Sequence, residues 1–198
     1  MNITKLAAIA AGMLLLVVPA AVRCGTKSDP SDAAPALKPR ASRILHLTGA
    51  LDPRASVQLE VEYHTTAKQC RVTTNWLEGV YSDRVYRHRV DVTRNGNAYA
   101  ADAPLDIVAA DACRWEPFSI NYTALVDGKP HTEPIAPTPL VWFRADAPAS
   151  IAPFAIRCLP FREVLTPGIR CTEDARDGFL GAEAKALQVS FGTAAAAR

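Results

Sequence analysis

The sequence predicts a mainly β fold, an antiparallel β-sandwich held together by disulfides. Several short segments alternate apolar and polar residues with a period of two, as half-buried strands do. These segments are separated by many of the 15 prolines and 10 glycines among the 198 residues. Five cysteines follow an N-terminal segment that has the features of an export signal, and disulfides persist outside the reducing cytoplasm.

Composition limits the classes of protein that need consideration. A length of 198 residues suits one ordinary domain with additional segments at its ends. Apolar residues make up 49% and charged residues 21%, which is typical of a globular protein and not of a disordered chain. The net charge of +2 argues against nucleic acid as the main partner.

Residues 1–23 have the three parts of a secretory signal peptide. Lys5 is the only charge before Arg23, an apolar run extends from Leu6 to Val18, and small residues follow it. The run is shorter than the roughly 20 residues that a transmembrane helix needs. We expect export to the periplasm with removal of this segment, and an uncleaved N-terminal anchor is the alternative.

Cys24 directly follows the signal segment and precedes a polar stretch. This arrangement resembles a bacterial lipoprotein, in which such a cysteine becomes the lipidated first residue. Arg23 departs from that pattern, because a small residue normally stands before the lipidated cysteine. The resemblance implies a lipid on Cys24 as a possible membrane tether.

The remaining chain divides into three parts. Residues 24–42 contain three prolines and no periodicity, which indicates a flexible linker. Residues 43–192 hold the predicted strands and form the sandwich domain. Residues 193–198 are an alanine-rich tail with nothing to pack against.

Two segments give the clearest strand signals. Residues 57–63 alternate apolar and charged side chains, so that one face of the strand is buried. Asn95-Gly96 is the preferred pair for a type I′ turn and predicts a hairpin in which Val92 opposes Tyr99 and Val90 opposes Ala101. Arg87, Arg89 and Asp91 would then lie on the opposite face.

Further strands are predicted at residues 118–126, 140–143, 151–158 and 187–191, giving about seven in all. Short strands at such spacing with few helices favour an antiparallel sandwich over a parallel sheet. The plan resembles immunoglobulin-like or transthyretin-like sandwiches.

The cysteines other than Cys24 number four and can form two bridges in three ways. We favour Cys70–Cys113 and Cys158–Cys171, because each pair closes a compact stretch. A metal site is the alternative, but the sequence contains no Cys-x-x-Cys and no histidine within four positions of a cysteine.

The sequence contains no motif for catalysis or cofactor binding. A nucleophile elbow, a zinc-protease motif, a P-loop and a dinucleotide fingerprint are all missing from it. Glu60 and Glu62 stand two apart on one strand face and read as its solvated side. His64 and His88 lie in predicted strands and read as separate surface or edge residues. We therefore predict no catalytic residues, no metal and no cofactor.

A basic and aromatic stretch supplies the candidates for partner binding. Arginine, tryptophan and tyrosine dominate many protein interfaces, and an arginine fork suits carboxylates. We therefore expect a protein partner with an acidic surface, bound by Trp76, Tyr81, Arg84, Arg87 and Arg89. The alternative is a solvated strand face whose charges prevent edge-to-edge aggregation.

The overall plan is that of a small exported domain with two disulfides and no catalytic motif. It resembles immunity proteins, which neutralise toxic enzymes delivered to the periplasm. The resemblance implies a non-enzymatic, stoichiometric protein-binding module. A structural or adaptor subunit of an envelope or secretion assembly and a small secreted hydrolase remain the alternatives.

Overall fold

Two layers of β-strands make up the domain in the computed structural model, which describes residues 34–75, 77–130, 137–162, 167–173 and 178–193. The predicted signal peptide, Cys24, Trp76 and all but the first residue of the predicted tail lie outside these ranges. The mainly β prediction is confirmed, since the one helical element in the described ranges is a 3-10 turn at Lys68–Cys70. None of the described segments forms a helix long and apolar enough to span a membrane.

The first sheet has six strands, with strands numbered in chain order. Across the sheet they are β12 (Pro167–Glu173), β11 (Phe154–Arg162), β14 (Ala186–Thr193), β1 (Ile44–Ala50), β7 (Ala98–Pro104) and β6 (Val92–Asn95). Alternation along β1 buries Leu45 and Leu47 and exposes Ile44, His46 and Thr48. One face of this sheet therefore packs on the core and the other meets solvent.

The second sheet has five strands in its main path. They are β13 (Phe179–Leu180), β10 (Thr138–Phe143), β8 (Trp115–Val126), β2 (Ala55–Thr65) and β5 (Val85–Val90), with β9 (Lys129–Pro130) paired to the end of β8. A separate hairpin joins β3 (Val72–Asn75) and β4 (Val80–Ser82). The predicted strands at 57–63, 118–126, 140–143 and 187–191 all lie within observed strands. The strand predicted at 151–158 begins later, at Phe154.

The predicted β-sandwich plan is present, and its two sheets are mixed rather than wholly antiparallel. Strand β14 pairs in parallel with both β1 and β11, and β10 pairs in parallel with β13. Parallel neighbours need long crossover connections. The chain provides one between β1, its first described strand, and β14, its last described strand, which lies between β11 and β1 in the sheet.

The core lies between the two sheets. Leu45 and Leu47 of the first sheet and Leu59 and Val61 of the second are at most 1% exposed, and burying each such side chain contributes about 1.5–3 kcal/mol. The ring of Phe191 meets that of Tyr122 edge-on across the layers at 5.2 Å between centroids.

Glycine is required at position 49, where β1 passes close to β14. A Cβ placed there would lie 1.5 Å from the carbonyl oxygen of Val189. That same oxygen accepts a hydrogen bond of 2.8 Å from the hydroxyl of Tyr99. The absence of a side chain at Gly49 therefore leaves room for the Val189 carbonyl and for its hydrogen bond with the buried Tyr99.

The predicted hairpin exists, but its register is shifted. Val92 opposes Ala101, and the turn residues are Gly96 and Asn97 rather than Asn95 and Gly96. Among the turn residues only Gly96 has a positive φ, 59°, which matches a type II′ loop with glycine first. Val92 keeps its predicted face, because the partner residue moves by two positions.

Val90 does not belong to that hairpin. It pairs with Leu59 in the second sheet, and the chain crosses to the first sheet at Asp91, between β5 and β6. The alternation that predicted one long strand is thus continuous in sequence but divided between the two layers.

The folded region begins before Arg43. The carboxylate of Asp106 accepts hydrogen bonds from the N–H groups of Ser42 and Arg43, each at 2.9 Å, and forms an ion pair with Lys38 at 3.0 Å. Leu37 also pairs with Val108. The last residues of the predicted linker, from Leu37 onward, are therefore attached to the domain.

Both favoured disulfides are formed. Cys70 and Cys113 join the 3-10 turn to the segment before β8, and Cys158 and Cys171 face each other across β11 and β12. Disulfides persist in oxidising compartments, so this chemistry belongs to an exported protein.

Candidate functional site

The structure places four of the five predicted partner-binding residues. Arg87 and Arg89 point outward from β5, Tyr81 lies on β4 with 59% of its surface exposed, and Arg84 lies between these strands. The guanidinium carbon of Arg84 stands 5.4 Å from the centre of the Trp115 ring, a cation–π distance. Trp76, the fifth, lies outside the described residues.

A buried carboxylate lies beneath these arginines. Glu62 on β2 is 8% exposed, so the prediction that it belongs to a solvated face is wrong. Its Oε2 accepts from Nε of Arg87 at 2.8 Å and from Nδ2 of Asn121 at 3.1 Å. Its Oε1 lies 2.7 Å from Nε2 of His64. We call these four residues, Glu62, His64, Arg87 and Asn121, the Glu62 cluster.

A β-bulge brings an aromatic ring onto this cluster. In the pairing of β2 with β8, Glu62 opposes Ser119 but Tyr63 opposes Pro117, which leaves Phe118 as the extra residue. The Phe118 ring stacks on that of His64 with 3.9 Å between centroids and 12° between planes. The Phe118 residue remains 41% exposed, so the cluster presents an apolar surface beside a cation.

The negative charge of Glu62 and both of its carboxylate oxygens have partners within the cluster. The hydrogen bond with His64, together with the hydrogen bond and positive charge of Arg87, holds the pKa of Glu62 at about 2, against burial, which raises it. A carboxylate in this state is ionised at neutral pH, and its two oxygens have three donors between them. It therefore cannot supply a proton and instead fixes the positions of Arg87 and His64.

Ser119 extends the cluster by one residue. Its hydroxyl donates to Oδ1 of Asn121 at 3.0 Å, which orients the amide so that Nδ2 faces Glu62. Ser119 and Asn121 are both buried on the same strand face. Side chains from β2, β8 and the edge strand β5 thus hold the carboxylate of Glu62 in place.

Apolar side chains surround the exposed part of the cluster. Val85 opposes His64 in the register of β5 with β2. The large apolar residues that are exposed on β5, at the bulge of β8 and in the β3–β4 hairpin are Leu77, Val80, Tyr81, Val85 and Phe118. We define the outer-face patch as Tyr81, Val85, Arg87, Arg89 and Phe118.

Two cavities lie along β5. One of about 470 Å3 is lined by Val85, Tyr86 and Trp115 near the start of the strand. The other, of about 410 Å3, is lined by His88, Val90 and Ile44 near its end, where the two sheets separate. Each borders the outer-face patch, through Val85 or through Arg89. A further cavity, of about 360 Å3, is lined by His64 and Phe118 and borders the Glu62 cluster.

Metal binding finds no support in the ranges that the structure covers, where no three histidine, cysteine or acidic side chains come close enough to share an ion. Cys70 and Cys113, which the sequence could have offered as ligands, are joined to each other. They fix the segment that leads into the β3–β4 hairpin, because the N–H of Ala67 also donates to the carbonyl of Cys113 at 3.2 Å.

Three residues of the site were not predicted from the sequence as members of it: Glu62, Phe118 and Asn121. The alternation of residues in β2 does show that Glu62 and His64 share a strand face. It does not show the register of β2 with β8 or the bulge in β8, and these decide which β8 side chains lie next to Glu62 and His64.

No protein-family model matches the chain, and no curated protein or solved structure is significantly similar to it. Function is therefore inferred from the residues of the chain itself.

Proposed function

We propose that this domain is a non-enzymatic module that binds a protein partner with an acidic surface through the outer-face patch. The observation that carries the proposal is the Glu62 cluster. A buried, fully paired carboxylate holds Arg87 and the His64–Phe118 stack at the surface, so little side-chain freedom is lost when a partner binds.

The patch has the composition of a binding surface. Arginine and aromatic residues are the side chains that most often dominate interface energy. Arg87 and Phe118 are anchored, while the guanidinium of Arg89 has no hydrogen bond or ion pair among the described residues. Arg89 can thus pair with a carboxylate of a partner without breaking a hydrogen bond or ion pair within the described part of the domain.

The cellular setting that we propose is the periplasm. Disulfides formed after export and the segment at residues 1–23 support it, and a lipid on Cys24 would tether the domain to a membrane. Intact-mass measurement of the membrane and soluble fractions tests this. We expect cleavage after Ala20 or before Cys24, and a mature chain that retains Met1 would contradict it.

An immunity protein is the concrete form of this function that we propose. Such a protein neutralises one toxic exported enzyme by binding it stoichiometrically, and an acidic surface on that enzyme would complement the patch. The first candidate partner is an exported enzyme encoded beside this chain. Growth protection when both are directed to the periplasm is the direct biological test.

The binding test uses variants that leave the hydrogen bonds and the ion pair of Glu62 in place. Arg89→Glu and Phe118→Ala change exposed side chains, and each should weaken partner binding about tenfold or more. Arg157→Glu and Leu159→Ala are matched controls, because both residues are exposed on the outer face of the first sheet. Equal losses in test and control variants, or no loss in either, would contradict the proposal.

A further inference from the structure

Strand β5 ends its sheet with an open edge. It pairs with β2 on one side, and on the other side no described strand pairs with it. Backbone N–H and C=O groups on such an edge are available for pairing with another chain. The edge is six residues long, Val85–Val90, which is the length of an ordinary strand.

Two other described edges are unsuited to pairing. Strand β6, the edge of the first sheet, has four residues, and the side chain of Arg94 donates back to the carbonyls of Gly96 and Ala55 at 2.8 and 2.9 Å. Strand β13, at the far side of the second sheet, has two residues. Strand β5 therefore has a longer and less obstructed edge than these two. The remaining edge of the first sheet, β12, has seven residues but borders neither of the two cavities along β5.

The inward side chains of β5 border the two cavities described above. Tyr86 lines the cavity of about 470 Å3 together with Trp115, and His88 lines the cavity of about 410 Å3 together with Ile44. Tyr86 and His88 are two residues apart and share a strand face. An extended chain laid along β5 would point alternate side chains toward these two spaces.

The second cavity has a mixed lining, in which one part of the wall is apolar and the other is polar or charged. Strand β7 has a β6 partner only up to Ala101, so its end stands open opposite β5 and contributes Pro104, while Ile44 and Ile107 complete the wall. Asp91 and Asp102 also line this cavity, and Asp102 contacts His46 at 2.8 Å. An acidic side chain is therefore disfavoured beside Asp91 and Asp102, while the apolar part of the wall accommodates an apolar side chain.

The outward side chains of β5 have the opposite character. Arg87 and Arg89 stand two residues apart on the solvent face, and Arg87 is fixed there by Glu62. Carboxylates at alternate positions of an added strand would lie opposite these cations, at the spacing that cross-strand pairs require.

We propose that β5 accepts an extended segment of the partner as an additional strand, with acidic side chains facing outward and apolar side chains facing the cavities. This rests on the proposed function, and it specifies the form of the partner's contact. Main-chain hydrogen bonds supply affinity in this mode of recognition, and alternate side chains supply specificity. The same arginines repel a second copy of β5, so one feature prevents self-association and admits an acidic strand.

The test uses the folded, oxidised domain and a short peptide in which glutamate alternates with valine. Binding should be about tenfold weaker for a lysine–valine peptide and for the Arg89→Glu domain, and unchanged for Arg157→Glu. Methylating those peptide amides that face β5 should also remove binding, whereas methylating the alternate set should not. Amide hydrogen exchange should slow at alternate residues of β5 when the acidic peptide is present.

The outcomes separate the two proposals. An acidic peptide that does not bind at millimolar concentration, or that binds while exchange along β5 stays unchanged, overturns strand addition. Neither result touches the outer-face patch, whose own test is the comparison of Arg89→Glu and Phe118→Ala with their controls. Loss of partner binding in those variants without protection of β5 would leave the proposed function standing and this inference wrong.

Discussion

Arg87 and Glu62 form an ion pair directly across β5 and β2, with 2.8 Å between Nε and Oε2. The Glu62 side chain is 10% exposed and that of Arg87 is 46% exposed. The acid is therefore held inside the sheet surface while the cation reaches solvent. This asymmetry means that the buried partner sets the position of the exposed one.

Replacing Glu62 by glutamine should destabilise the domain. The variant loses the charge that pairs with Arg87 and His64, and hydrogen bonds to charged groups contribute about 1.5–3 kcal/mol. We expect the free energy of unfolding in urea at pH 7 to fall by about 1–3 kcal/mol. Glu60→Gln, two residues away on the same face, is the control and should change it by less than about 0.5 kcal/mol. Equal effects at the two positions would show that the cluster is not stabilising.

The contribution of Glu62 should disappear in acid. Its pKa is lowered from 4.5 to about 2 in the folded chain. Because the folded-state value is the lower one, the stabilisation is fully present above pH 4.5 and is lost as pH falls through 2. The difference in unfolding free energy between wild type and Glu62→Gln should therefore shrink by up to about 3 kcal/mol over that window. Parallel stability curves from pH 5 to pH 2 would contradict the assignment.

Asp106 should hold the first residues of the domain. Burial opposes ionisation of this carboxyl group, but hydrogen bonds from Ser42, Arg43 and Lys38 hold its pKa well below the usual range. In Asp106→Ala we expect faster amide exchange at Ser42 and Arg43 and easier tryptic cleavage after Arg40. Asp102→Ala is the control, since its contact with His46 is largely exposed on both sides. Unchanged exchange in Asp106→Ala would mean that other contacts secure this segment.

The two disulfides should differ in what they contribute. Cys158 and Cys171 are 13 residues apart and Cys70 and Cys113 are 43 apart. By loop entropy, replacing both partners with alanine should cost about 3 kcal/mol for the first bridge and about 4 kcal/mol for the second. Urea unfolding of the two double variants checks this order. Four reactive thiols at these positions in the unfolded, unreduced protein would contradict both bridges.

Local patterns predicted the strands better than they predicted the arrangement of the strands. Alternation at residues 57–63 identified β2, because side chains on a half-buried strand repeat every two residues. The pairing of β1 with β14 was not visible, since it joins His46 to Ala186 across most of the chain. The asparagine–glycine signal found the hairpin but placed its turn one residue early.

In the candidate site, too, local patterns predicted which way side chains point but not which side chains meet. Arg87 and Arg89 were correctly placed on an outward face by alternation alone. Glu62 was misjudged because its burial depends on Asn121 and Ser119, which reach it only through the register of β2 with β8. Arg87→Glu would set a second carboxylate against the buried Glu62, whereas Arg89→Glu would stand opposite Glu60, which is more exposed to solvent. Arg89 is therefore the better position for a charge reversal.

Binding of an acidic partner by the outer-face patch is best tested through the dissociation constant of the complex between this domain and its protein partner. It is compared for wild type, Arg89→Glu and Arg157→Glu at low and at physiological salt. We predict that Arg89→Glu weakens binding about tenfold or more at low salt, that added salt reduces the difference, and that Arg157→Glu binds as wild type does. Equal dissociation constants for the three proteins would contradict the claim that the outer-face patch binds an acidic partner.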